Sequence, residues 1–122
     1  MVRFLTAAFL ALLFASLTET KASAPSRPTE NVSSGNFLIE SCRISIDTSA
    51  QNAYEGWRSG VCDGLVTGIM YASSTICHDP DVTLGQAMRV VEKYLQDHPE
   101  RLHLSNTMLT NEALTQAFPC KH

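Results

Sequence analysis

The sequence predicts an all-α domain, a compact bundle of about four helices stapled by two disulfides. Apolar residues recur at steps of three and four in four separate segments, and no sheet is expected. Four cysteines, Cys42, Cys62, Cys77 and Cys120, all follow an export-type leader. An even cysteine count in an oxidising compartment reads as paired bridges.

The leader comes first. Arg3 precedes a 14-residue, largely apolar run from Phe4 to Leu17, and the small residues Ala22, Ser23 and Ala24 follow. That is the three-part layout of a secretory signal peptide over residues 1–24, and the run falls short of the roughly 20 residues that cross a hydrocarbon layer. Cleavage is expected near Ala24 or, because Pro25 disfavours that cut, near Ala22. From Pro25 onward 98 residues remain, enough for one domain. They carry seven basic and eleven acidic side chains, a net charge of −4. With no basic cluster, that balance is a poor match for nucleic acid or an anionic membrane surface.

Residues 25–35 hold Pro, Ser, Thr, Asn and Gly with a single apolar side chain, so they are expected to form a flexible N-terminal tail. Residues 36–122 form the helical domain. Helix one is expected over residues 36–45, with Phe37, Leu38, Ile39 and Cys42 on its apolar side. Thr48 followed by Gln51 has the spacing of a capping box and opens helix two, which runs to about Ser73. Its apolar stripe is read as Tyr54, Trp57, Val61, Leu65, Ile69 and Ala72. Thr83 with Gln86 makes a second capping box, and Val82 before it can pack back on Ala87 as a hydrophobic staple. Helix three starts near Leu84, turns Leu84, Ala87, Met88, Val91, Tyr94 and Leu95 to one side, and ends before His98-Pro99. Helix four begins at Ser105 or Asn106, buries Leu109, Ala113, Leu114, Ala117 and Phe118, and stops at Pro119.

Helix two also carries Gly56, Gly60, Gly64 and Gly68 at steps of four, along one slowly drifting side. Each glycine costs roughly 1 kcal/mol relative to alanine in a helix interior. A neighbouring helix packed very close along the stripe would offset that cost, and so would a homodimer contact. Asp63 in mid-segment argues against a membrane dimerisation motif.

The search for chemistry is short. The cysteines show no CxxC spacing of a zinc knuckle or redox site. His78, Asp79 and Asp81 are neighbours on one short loop, where side chains rarely converge on a metal. No GxSxG elbow, HExxH helix or phosphate-cradling glycine loop is present. No enzyme, cofactor or metal is therefore expected.

Four blocks in order carry a resemblance. Cys62-Asp63-Gly64 with Gly68 resembles a C-x-G-x-x-x-G helix, and the run from Cys77 to Gln86 resembles a C-x-P-x-G-V-T-x-G-Q turn. Tyr94-Leu95 with His98-Pro99-Glu100-Arg101 resembles YL-x-x-HPE-x-R, and Ala113-Leu114 with Ala117-Phe118-Pro119-Cys120 matches AL-x-x-AFPC. Together they resemble the Rap/Tai immunity-protein family over about residues 36 to 122. The resemblance implies an all-helical periplasmic protein that binds and neutralises a peptidoglycan-cleaving, amidase-like effector of a type VI secretion system, often as a homodimer. Ser105-Asn106 departs from the family's Pro-Ala, and Met70-Tyr71-Ala72 stands in place of its acidic position.

The bridge pattern follows from helix lengths. If helices three and four, of about 14 and about 13 residues at 1.5 Å each, run antiparallel across the turn at 98–104, the end of one returns to the start of the other. Cys120 then meets Cys77, which leaves Cys42 for Cys62.

Two alternatives to the immunity role are an acid-stress chaperone of the HdeA kind and a small secreted hydrolase. The first lacks a clustered protonation switch, and the second a reactive centre. Since helix interiors are committed to the core, residues that specify a partner are expected on loops. The first is His78, Asp79 and Asp81 beside a disulfide. The second is Glu100, Arg101 and His103 in the turn between helices three and four, favoured because it carries both charge signs.

Overall fold

The computed structural model describes residues 30–47 and 49–121. The signal peptide expected over residues 1–24, residues 25–29 and the Thr48 half of the first capping box lie outside the described residues. Four helices follow in order: α1 (Gly35–Asp47), α2 (Ala53–Ala72), α3 (Leu84–Asp97) and α4 (Asn106–Ala117), with a 3-10 turn at Pro99–Arg101 between the last two. Among the described residues there are no strands, only isolated bridges pairing Ser34 with Ser105 and Ile76 with Pro119.

Residues 30–35, expected in the flexible tail, are bonded to the rest of the chain. The Gly35 amide donates to the Leu104 carbonyl at 3.0 Å, the Asn36 amide to Leu102 at 2.8 Å, and the Asn106 amide to Ser33 at 2.8 Å. Backbone partners supplied by the 98–105 turn do what apolar side chains could not. Gly35 sits so close to this turn that an added Cβ would lie 2.5 Å from the Leu109 side chain and 3.1 Å from the Leu102 backbone. Gly35→Ala is therefore expected to destabilise the domain by about 1–3 kcal/mol through overpacking. The urea midpoint would report it, and an unchanged midpoint would mean that α1 shifts freely.

Helix α1 buries Phe37, Leu38, Ile39, Ser41 and Cys42, as its apolar pattern requires. Helix α2 begins later than Thr48–Gln51 suggested. Its N-cap is Asn52, whose side chain accepts from the Glu55 amide at 3.0 Å, while the Glu55 carboxylate returns to the Gln51 amide at 2.7 Å. The inward face of α2 also differs from the expected stripe. Arg58, Cys62, Val66 and Met70 are the buried residues, whereas Trp57 and Ala72 are exposed and Val61, Leu65 and Ile69 are only half-buried. The physical reason is the Cys42–Cys62 disulfide, which sets the rotation of α2 against α1. Residues at steps of four from Cys62 then share its face.

Helix α3 starts with the expected capping box: the Gln86 amide donates to Thr83 Oγ1 at 3.2 Å, and the Thr83 amide to Gln86 Oε1 at 2.7 Å. It buries Ala87, Met88, Val91, Glu92, Tyr94 and Leu95. Helix α4 has Ser105 as its N-cap residue, without a side-chain cap bond; Asn106 instead donates to the Val32 carbonyl at 3.0 Å. Leu109, Thr110, Ala113 and Leu114 face inward, and Phe118 packs partly against the core while Ala117 is exposed. Helices α1, α2, α3 and α4 thus close on one apolar cluster containing Leu38, Cys42, Cys62, Val66, Val91, Leu95, Leu109 and Leu114.

Both bridges have the pairing expected from the helix lengths, Cys77 with Cys120 and Cys42 with Cys62. The Cys77 amide donates to the Phe118 carbonyl at 2.9 Å, which seats the end of α4 beside the loop that precedes α3.

Candidate partner-binding surface

Three surfaces follow from this architecture. The loop from Cys77 to Val82 is held at one end by the disulfide to Cys120 and at the other by the Thr83 capping box. Within it Asp79 Oδ1 accepts from the Asp81 amide at 2.9 Å, and the Val82 amide closes on the Asp79 carbonyl at 3.0 Å. Both aspartates are exposed, and the half-buried His78 ring meets the Tyr71 ring edge-on at 5.5 Å. The loop is thus rigid, acidic and continuous with the end of α2.

The turn at 98–104 is built differently. His98 stacks on Tyr94 at 4.2 Å, with Nδ1 2.8 Å from the Tyr94 carbonyl, and Pro99 opens the 3-10 turn that follows. Arg101, expected to project towards a partner, folds back instead. Its guanidinium donates to the Tyr94 hydroxyl and reaches the Glu112 carboxylate at 2.6 and 3.0 Å, and the Tyr94 hydroxyl donates to the same carboxylate at 2.7 Å. This three-membered clasp ties the turn to α4. Glu100 and His103 remain exposed. The turn therefore presents these two side chains on a frame that Arg101 fixes.

The clasp also shifts its members' ionisation. The hydrogen bond from Arg101, then that from Tyr94, holds the Glu112 carboxyl below the ordinary value. Burial, followed by the hydrogen bond to Glu112, pushes the Tyr94 phenol up. A depressed carboxyl adds stability that is fully present above the unfolded value and lost as pH falls through the folded one. Glu112→Gln is thus expected to cost about 1 kcal/mol or less near neutrality, the size of a part-exposed pair. The gap from the parent should close below the ordinary carboxyl value of 4.5. Urea midpoints of both chains against pH would test it; a gap that widened in acid would refute the assignment.

The third surface is the outer side of α2. Ala53, Gly56, Trp57, Gly60, Gly64, Gly68, Tyr71 and Ala72 are its exposed residues, and none carries a charge. Trp57 is 48% and Tyr71 75% exposed. The neighbouring helix expected along the glycines is not found among the described residues, because a Cβ added at Gly60, Gly64 or Gly68 meets nothing within 4 Å. Packing among the described residues does not offset their conformational cost.

Residues 34–120 match the family model of Rap1a immunity proteins. The chain belongs to the Rap1a immunity protein family. Neither a curated protein nor a solved structure matches it. Membership in an immunity family means that the partner is a cognate effector protein, and such families are generally non-enzymatic. In this Rap1a family member, no three His, Cys, Asp or Glu side chains among the described residues group to hold a metal ion, and no described helix is long and apolar enough to cross a membrane.

Two arrangements escaped the sequence reading of this family member. One is the Tyr94–Arg101–Glu112 clasp, whose members lie up to 18 residues apart. The other surrounds Arg58, which is buried at 9% exposure. Its Nη2 donates to the Phe37 carbonyl at 3.1 Å and its Nη1 to Glu30 at 3.0 Å, while the guanidinium lies 4.4 Å over the Phe37 ring. The signal for it was the step of four from Arg58 to Cys62, once Cys62 is known to face inward.

Proposed function

We propose that the chain is exported to the periplasm, where it binds and neutralises a peptidoglycan-cleaving, amidase-like effector delivered by a type VI secretion system. Its action is stoichiometric occlusion rather than chemistry. The observation that carries this reading is the match of residues 34–120 to an immunity-protein family, and the leader sequence supports it. The uncharged outer face of α2, where no described atom covers Gly60, Gly64 or Gly68, offers a further surface for a protein partner. The α2 face meets a second copy of the chain, and the loops at 77–82 and 98–104 grip the effector. Rigid loops lose little entropy on docking, and both are braced, one by a disulfide and the other by the Arg101 clasp. His78, Asp79, Asp81, Glu100 and His103 supply the polar contacts, with Arg101 as their support.

Co-expression tests the function. Exported with the effector encoded beside it, the chain should rescue cells from lysis and co-purify with that effector. Failure to rescue from any neighbouring effector, together with holding of unfolded clients at low pH, would replace this reading with an acid-stress chaperone. The loop assignment has its own test, since Glu100→Lys leaves the Arg101–Glu112 pair in place. It should weaken effector binding at least tenfold, about 1.4 kcal/mol, with the circular dichroism spectrum unchanged; undiminished affinity would remove the turn from the interface.

A further inference from the structure

Arg58 sits in a ready-made receptor for a carboxylate. The guanidinium is positioned by groups that do not depend on Glu30: the Phe37 carbonyl at 3.1 Å, Ser41 Oγ at 3.4 Å from Nε, and the Phe37 ring beneath it. One nitrogen, Nη1, points outward and takes Glu30 Oε1 at 3.0 Å, while the Tyr54 hydroxyl donates to Glu30 Oε2. The carboxylate is thus held by two donors, one charged and one neutral, each on its own oxygen. The Arg58 side chain is 11% exposed and that of Glu30 38%, so the receptor is deep and its occupant open to solvent.

The two halves also differ in origin. Phe37, Ser41, Tyr54 and Arg58 lie inside the matched span 34–120, and Glu30 lies before it. The domain itself therefore contains a buried cation and the donors around it, and the segment upstream supplies the anion. Trp57 packs against Phe37 at 5.4 Å and Tyr54 at 5.6 Å and opens onto the uncharged face of α2, next to the receptor.

We propose that Arg58 and Tyr54 form a carboxylate-binding site filled from within the chain by Glu30, and that a free carboxylate ligand of the glutamate side-chain type can take the place of Glu30. Because the guanidinium is held independently of its ligand, exchanging one carboxylate for another requires no rearrangement of the domain. Leaving the site empty would strand a buried cation, so displacement of Glu30 and entry of the second carboxylate are coupled.

Trp57 is the only tryptophan of the chain and reports directly on the site. The experiment titrates the processed full chain carrying Glu30→Ala with acetyl-glutamate amide, and in parallel with the neutral acetyl-glutamine amide, at constant ionic strength. A saturable change in Trp57 emission is expected with the acid only, at least tenfold weaker in the parent chain, where Glu30 competes. Adding Tyr54→Phe, which removes one donor and leaves the guanidinium untouched, should weaken it further. Equal responses to acid and amide, or no saturable response in the Glu30→Ala chain, would make Glu30 a structural strap and overturn the site, whatever effector the chain binds. Should Glu30→Ala unfold, Glu30→Gln serves the same comparison, with the same result required.

Discussion

Replacing both Cys77 and Cys120 by serine should lower the stability of the domain by about 4 kcal/mol. The bridge spans a sequence separation of 43 residues, and the entropy of closing a loop of that length in the unfolded chain gives a figure of this size. The Cys42–Cys62 bridge closes a separation of only 20, which by the same relation is about 3 kcal/mol. For a small domain whose total stability is on the order of 5–15 kcal/mol, either loss is severe. The structural consequence is local to one of the proposed partner-binding loops, because Cys77 holds the loop containing His78, Asp79 and Asp81 against the end of α4. Urea unfolding of the double variant measures the loss directly. A difference under 1 kcal/mol would show that the Ile76–Pro119 bridge and the core hold this end without the sulfur bond.

The second large effect has the opposite sign. Changing Gly60, Gly64 and Gly68 together to alanine should stabilise the isolated chain by about 2–3 kcal/mol, roughly 1 kcal/mol for each helix-interior glycine removed. Among the described residues nothing within 4 Å resists the added methyl groups. The same three methyl groups would hold a partner away from the α2 backbone, so association through this face should weaken at least tenfold. Thermal unfolding at low concentration reads the first effect, and sedimentation with and without effector reads the second. Higher stability with unaltered association would mean that the face is idle; lower stability would mean that the described residues do not account for what packs on it.

Much of this protein was legible in its residues because the signals were local. The Thr83–Gln86 capping box, the proline stops at Pro99 and Pro119 and the matched lengths of α3 and α4 predicted those two helices and the Cys77–Cys120 bridge, which left Cys42 for Cys62, since helix geometry converts residue counts into distances. The glycines of α2 and the two polar loops were found as patterns, with the chemistry they can offer. The rotation of α2 was not legible. Val61, Leu65 and Ile69 point to one inward side and Val66 and Met70 to another, so periodicity alone is degenerate. The bond from Cys62 to Cys42 selected the second and placed Arg58 in the interior.

The state of each charged side chain was likewise beyond the pattern. Arg101 reads as a free loop cation until α4 brings Glu112 to it, and Glu30 reads as part of a polar tail until α2 presents Arg58 and Tyr54. The sequence by itself determined which helices form, where they stop and which cysteines can meet, because those depend on neighbours within a few residues and on lengths. Only the tertiary structure decided which face of α2 is left bare and which charges are already spent, because those depend on residues that meet across 11 to 28 positions of chain.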